Sequence, residues 1–249
     1  MSKETSIGIN HKHLLRKLKG EVQDETGENK KKRRRSTDTE NNKKNTRDSL
    51  IAAALSISRD KSFFSISMRE ITREIGKSPA SFYNHFESME KLAIHIIDET
   101  LDRNRQSLKQ ARAPTAPLGD QGYRVIESVL SIFKERPDHY RFTIALFDCR
   151  EPMIRSVIDR HWQRMLIELR EDLMHFPFFE NLDKHTFELT TKLLANTCLR
   201  IAAEITKNDI SKAEQKKLLS DGAIELRVIC IGAAHWQPNS ERLEPAKAP

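Results

Sequence analysis

Apolar residues recur at spacings of three and four throughout the patterned part of this chain, and nowhere do they alternate for long enough to make a useful strand. Leu50, Ala53, Ala54 and Ile57 form one stripe, Met68, Ile71 and Ile75 a second, and Met89, Leu92, Ala93, Ile96 and Leu101 a third. A longer stripe follows in Ile154, Ile158, Trp162, Met165, Leu166 and Leu169. Amphipathic helices must bury their stripes against one another, so the expected fold is all-α.

Start and stop signals divide the pattern. A first helix is expected from Thr46, followed by a connection holding Phe63, Phe64 and Ile66. Ser67 with Glu70 three residues later has capping-box spacing, and Gly76 ends the short helix they open. Lys77 and Ser78 make a turn, with Ser78 placed as N-cap and Pro79 at the first helical position, where a missing N–H costs nothing. That third helix is expected to run to about Phe86. Ser88 opens a fourth, to about Arg112.

The interior Pro/Gly-rich break, Ala113 to Gly119, marks the expected domain boundary. Beyond it the pattern predicts helices over 122–135, 139–147, Pro152 to about His175, a helix capped by Asp183 through about Thr206, and a last one from Ser211 to near Trp236. The latter half of that last helix, Leu226, Val228, Ile229, Cys230 and Ile231, leaves almost no polar face, so it must be covered on more than one side. The expected organisation is a disordered basic tail (1–45), a three-helix domain with its linking fourth helix (46–112), a larger C-terminal helical bundle (113–237) and a disordered end (238–249).

Charge separates these parts. Residues 1–47 hold 14 Lys/Arg against 7 Asp/Glu, including the run Lys30 to Arg35, and residues 48–112 hold 10 against 9. The tail is therefore the main electrostatic handle, suited to nucleic acid, anionic lipid or an acidic partner. Cys149, Cys198 and Cys230 lack metal-ligand or disulfide spacing and read as reduced, inert thiols of a cytoplasmic protein. There is no secretory h-region and no span of about 20 apolar residues. His11 and His13 lack partners for a metal site, and Asp148, Glu151, Asp159, His161 and His175 come without a nucleophile or a phosphate loop, so neither a cofactor nor an enzyme is expected.

The segment Ser67 to Phe86 is a short helix, a glycine turn and a second short helix that starts with small polar residues. That is the arrangement in which a helix-turn-helix offers the N-terminal end of its second helix to the major groove. Thr46-Arg47, Ala52-Ala53, Ser67 to Ile71, Ile75-Gly76 and above all Ser81-Phe82-Tyr83-Asn84-His85-Phe86 followed by Leu92 resemble the TetR family. The wording of the Ser81 to Phe86 run is most similar to the FabR-type repressors of unsaturated fatty-acid synthesis. The resemblance implies that Lys77, Pro79, Ala80, Ser81, Tyr83, Asn84 and His85 lie on the DNA side. Tyr83 and His85 would meet phosphates, and Ser81, Asn84 and Ala80 base edges. Ser67, Arg69, Thr46 and Arg47 would contact the backbone. Two positions depart from the family pattern: Met89 stands where a phosphate-gripping Lys is common, and Ala80 where many members have Gly.

Phe82 and Phe86, four apart on a short amphipathic helix, are expected in the core. The resemblance further implies a homodimer on a palindromic double-stranded operator and an effector cavity in the C-terminal helices. In FabR-like members the effector is a long-chain acyl thioester. Phe133, Tyr140, Phe147 and Trp162 are the apolar candidates for its wall, and Arg141, Arg150 and Arg155 for its mouth. The dimer is expected to form on the last two helices, as a four-helix bundle. The alternatives are a helical adaptor whose basic tail holds nucleic acid or anionic membrane without sequence preference, and a helical enzyme acting on an acyl substrate.

Overall fold

The computed structural model describes residues 42–112, 118–176, 179–207 and 211–236, and every regular element among them is helical. The run Lys30 to Arg35, both N-terminal histidines, the break at 113–117 and the 238–249 end lie outside the described residues. Residues 42–57 form α1, a 3-10 turn covers Phe63–Ser65, and then follow α2 (Met68–Glu74), α3 (Pro79–Tyr83), α4 (Met89–Ala111) and α5 (Leu118–Glu135). The remaining helices are α6 (Pro137–Ala145), α7 (Pro152–Leu173), α8 (Lys184–Lys207) and α9 (Lys212–Ala234).

The chain divides into two compact units, Met1–Ala52 and Ala53–Pro249. In the first, α1 already covers residues 42–45, ahead of the expected start at Thr46. Thr46 Oγ1 donates to the Asn42 carbonyl at 3.0 Å and Ser49 Oγ to that of Asn45 at 2.8 Å, while residues 42–45 stay exposed. The apolar stripe marks only the part of a helix that buries a face, so it misses a solvated turn.

In the second unit the capping signals act as the spacing predicts. Ser67 accepts from Glu70 N and Glu70 Oε2 accepts from Ser67 N at 2.8 Å, completing the capping box of α2. Gly76 ends α2 with φ +63, the left-handed conformation that a Cβ penalises. Pro79 is at the first position of α3, but the Ser78 side chain makes no cap bond. α3 stops at Tyr83, three residues short of the expected Phe86, and Asn84 and His85 turn the chain before Ser88 caps α4 by accepting from Lys91 N.

Two later helices start earlier than expected. α5 begins at Leu118, so Gly122 lies inside it. A Cβ there would sit at ordinary contact distance, 3.4 Å from the Ala223 carbonyl of α9, so this glycine neither ends a helix nor is demanded by packing. α6 begins at Pro137, which occupies its first position after Arg136 instead of separating two helices from a distance.

Ile126 and Val129 of α5, Tyr140 of α6, and Ile201 and Ile205 of α8 are buried in one core that also takes in Leu169 of α7 and Leu226 of α9. α5 packs on α8 and α9, and α4 on α5, α6 and α7. Ion pairs run along the α4–α7 seam: Asp98 with Arg160 (3.1 Å) and His161 (2.6 Å), Arg105 with Glu168 (2.9 Å), and Arg112 with Asp172 (2.7 Å). No helix among the described residues is long and apolar enough to cross a membrane.

Candidate nucleic-acid interface and ligand cavity

α3 sorts its residues by face. Phe82 is 1% exposed and Phe86 4%, with ring centroids 5.8 Å apart, and Phe86 also meets the His95 ring of α4 at 5.8 Å. This buried anchor fixes the roll of a helix too short to be stable alone. Consequently Lys77, Pro79, Ala80, Tyr83 and Asn84 are exposed together, with Ser81 and His85 half-buried beside them. Tyr83, 57% exposed, packs its ring edge-on to Phe82 at 5.8 Å, so its phenol extends outward from a fixed base.

On α2, Arg69 is exposed. Ser67 is exposed too, but its hydroxyl both accepts from Glu70 N and donates to Glu70 Oε2, and is therefore committed to the cap. Glu70 also takes an ion pair from Lys61 at 2.5 Å; that pair and the bonds from Ser67 hold its carboxyl down at about 2. In the first unit, Thr46 and Arg47 are half-buried, and the Thr46 hydroxyl is turned back on its own helix. Arg73 on α2 and Lys91 on α4 are further exposed cations that the motif comparison passed over, because neither falls on a motif position.

The helices flanking this module are tied to α6. Arg59 Nε donates to Asp138 Oδ1 at 2.9 Å, and Phe63 meets Phe142 edge-on at 5.2 Å. Asp138 and Phe142 are four apart, on one face of α6. Tyr140 and Thr143 lie on another, directed into the C-terminal core.

That core contains two cavities. The larger, about 410 Å³, is bounded by the C-terminal end of α4, by α5, α7, α8 and α9, with walls that include Leu169, Phe176, Phe179 and Leu226 and with Arg112, Asp172, Arg227 and His235 as its charged or titratable members. The smaller, about 80 Å³, lies among α4, α6, α7 and α8. Leu108, Met165, Ala195 and Cys198 line both, so a single layer of side chains separates them. Burial pushes the Cys198 thiol up to about 12 and that of Cys230, on the larger cavity, to about 11.

Of the expected wall residues, Tyr140, Phe147 and Trp162 meet at the smaller cavity. Phe133, Arg141, Arg150 and Arg155 line neither. Arg141 stacks its guanidinium over the Phe133 ring at 5.4 Å, Arg155 bonds the Phe147 carbonyl at 3.1 Å and Asp159 at 2.9 Å, and Arg150 is in the exposed α6–α7 connection. The arginines that do line the larger cavity are Arg112 and Arg227. Sequence pattern held no hint of this pair, since neither stands near an aromatic cluster along the chain.

α8 and α9 carry the largest run of exposed apolar side chains: Leu189 and Leu193 on α8, and Ile224, Val228 and Ile231 on α9, each between 46% and 62% exposed. Ile224, Val228 and Ile231 are spaced four and three apart and so form one stripe. Beside it, Arg200 of α8 pairs with Glu204 at 2.6 Å and with Glu225 of α9.

Residues 50–96 match the model of the bacterial regulatory proteins of the tetR family. About three quarters of the chain shares its fold with solved regulators. It has a TM-score of 0.59 and 15% identity with the fatty acid degradation regulator FadR from Bacillus halodurans, over 75% of this chain and 95% of that one. The TetR family transcriptional regulator PfmR from Thermus thermophilus gives 0.57 at 16% identity, covering 72% and 97%. A tetR-family regulatory protein from Rhodococcus RHA1 gives 0.61 at 14% identity, covering 74% and 96%. All three are described as regulators. The chain therefore shares the fold of these TetR-type structures, with an N-terminal helix-turn-helix domain and a C-terminal helical domain.

Proposed function

We propose that this protein is a homodimeric, ligand-responsive repressor that reads a palindromic operator with α3 and acts on genes of fatty-acid metabolism. The observation that carries the DNA-reading part is the division of α3 and the turns on either side of it: Phe82 and Phe86 buried, Lys77, Pro79, Ala80, Tyr83 and Asn84 exposed. A buried anchor with a polar, aromatic-bearing outer face suits phosphate contacts that set register and base contacts that specify sequence. Met89 leaves one customary phosphate contact to another residue, and the exposed Lys91 in the same helical turn is our candidate.

The exposed apolar stripes of α8 and α9 support the dimer. A two-fold axis through them buries the same patch on both copies and sets two recognition helices at a fixed separation. The larger cavity, within the size range of ligand pockets, supports the effector. Its few charged groups suit a long apolar molecule with one polar head, and the likeness to the fatty acid degradation regulator favours an acyl compound, the long-chain acyl thioester being the leading form.

Coupling follows from α4 and α6. α4 starts in the DNA-reading module and ends at Leu108 and Arg112 on the larger cavity, and α6 touches the module through Asp138 and Phe142. An effector that fits one spacing of the two modules better than another shifts operator affinity by that difference and no more.

The test is selection from a random duplex pool at about physiological salt, where purely electrostatic binding has weakened and base readout persists. The expected result is a palindrome that Tyr83→Ala and Asn84→Ala proteins no longer hold. Recovery of unselected sequence would replace this reading with a basic-tail adaptor.

A further inference from the structure

The smaller cavity is mostly apolar, but its wall includes buried polar side chains of α4 and α6 whose hydrogen bonding is incomplete. Thr143 is 1% exposed, yet its Oγ1 has no hydrogen-bond partner in the protein, although most buried helical threonines return theirs to the preceding turn. The Asn104 amide and the Tyr140 phenol share one hydrogen bond at 3.3 Å, which leaves one polar group of the Asn104 amide without a partner. Three hydrogen-bonding groups, from α4 and α6, thus converge on one small space.

The charge around that space is balanced. Arg105, which also lines it, is committed to Glu168 at 2.9 Å and lies 3.6 Å from Asp102, and His161 is held by Asp98. Arg105 Nε has no hydrogen-bond partner, but a carboxylate placed there would compete with Glu168 and Asp102, which already neutralise that arginine. A hydroxyl or keto oxygen would find a donor and an acceptor at hand.

We propose that the two cavities form one ligand site, and that the ligand is an acyl compound whose chain carries an uncharged oxygen substituent. The head group lies in the larger compartment against Arg112, whose Nη2 is buried without a protein partner while its Nε is paired with Asp172. The chain passes between Met165 and Cys198, and the substituent reaches Thr143, Asn104 and Tyr140. This rests on the reading of the C-terminal domain as an effector domain and narrows its ligand class. A plain alkyl end in the smaller compartment would leave those groups unpaired, which costs affinity instead of adding it.

The experiment uses the full chain carrying Trp236→Phe, which leaves Trp162, a wall residue of the smaller compartment, as the sole tryptophan. The probes are straight-chain acids from octanoic to tetradecanoic acid and their ω-hydroxy counterparts, titrated by Trp162 emission. Normally an added hydroxyl weakens binding to an apolar pocket. Here, at one chain length or more, the hydroxy acid is expected to bind about fivefold or more tightly than its parent, the worth of about one hydrogen bond. Thr143→Val should return that ratio to one or below, and Tyr140→Phe should reduce it.

Parent acids binding better at every length would overturn the proposal, as would binding of neither series or a preference that survives both substitutions. The first of these outcomes would assign the smaller compartment to water. Operator binding by the same protein, read by anisotropy on a selected duplex, is independent of all of these. A palindrome held with no response to hydroxy acids would sink this inference and leave the repressor standing.

Discussion

Substitution of Val228 by Arg isolates the proposed dimer face from everything else in the molecule. Val228 is 62% exposed in the protomer, and Leu189, Leu193, Ile224 and Ile231 keep roughly half of their surface. Full burial of such a side chain contributes about 1.5–3 kcal/mol, so completing the burial of each on association contributes about 1 kcal/mol. Ten such side chains across a two-fold axis give about 10 kcal/mol, against an association cost of about 4–15 kcal/mol. The surplus is narrow, and a single position decides it. Val228→Arg removes about 2 kcal/mol over two copies and brings two like charges into a drying interface, where an unpaired charge costs about 3–5 kcal/mol. With only one of the two charges left unpaired the total is already about 5 kcal/mol, which corresponds to a rise of more than a thousandfold in the dimer Kd. Light scattering at micromolar concentration should show a dimer for the wild type and a monomer for the variant. Thermal melting of the variant monomer should match that of the fold itself, because an exposed substitution changes protomer stability by about 0.5 kcal/mol or less. A Val228→Arg protein that remains dimeric and holds its operator at wild-type affinity would refute the assignment of this face.

Two further outcomes test the helix-turn-helix itself. Gly76→Ala adds a Cβ that meets nothing within 4 Å, so its whole cost is the left-handed backbone, about 1–2 kcal/mol; calorimetry should show a lower Tm that Gly76→Asn largely restores. Glu70, whose carboxyl is held at about 2 by Lys61 and Ser67, stabilises the fold above its ordinary value of 4.5 and loses that contribution as the pH falls from there toward 2. Melting curves of the wild type and of Glu70→Gln should therefore differ at neutral pH and converge across that acidic window.

The helix-turn-helix is legible in the sequence because its signals are local. Ser67 and Glu70, Gly76, Pro79 and Ser88 each fix backbone within a few residues, and Phe82 and Phe86 are close enough in sequence to declare a buried face. Where sequence pattern misleads, a helix either has a solvated turn or continues through a glycine. α1 extends over Asn42 to Asn45 with nothing to bury, and Gly122 lies inside α5, where it ends no helix. The cavity is the least legible part. Arg141 and Arg155 stand near aromatic residues along the chain and so resemble a mouth, but they are used by Phe133 and Asp159; the cations that reach the larger cavity, Arg112 and Arg227, come from helix positions more than a hundred residues apart. Tertiary packing chose them, and a periodicity of 3.6 carries no information about which distant stripe will face which.

Ile231 belongs both to the exposed stripe of α9 and to the wall of the larger cavity, and His235, one turn on, lines that cavity too. This shared residue has a consequence for how such a molecule can change over generations. Under the proposed dimer and effector site, a substitution that reshapes the cavity from α9 also alters which other copies the protein pairs with, so drift in ligand preference on that wall risks mispairing or separation from its own kind. The walls supplied by α6 and α7 carry no such penalty. New ligand preferences in descendants of this chain should therefore arise around Tyr140, Thr143 and Met165, while the α9 wall stays tied to partner choice.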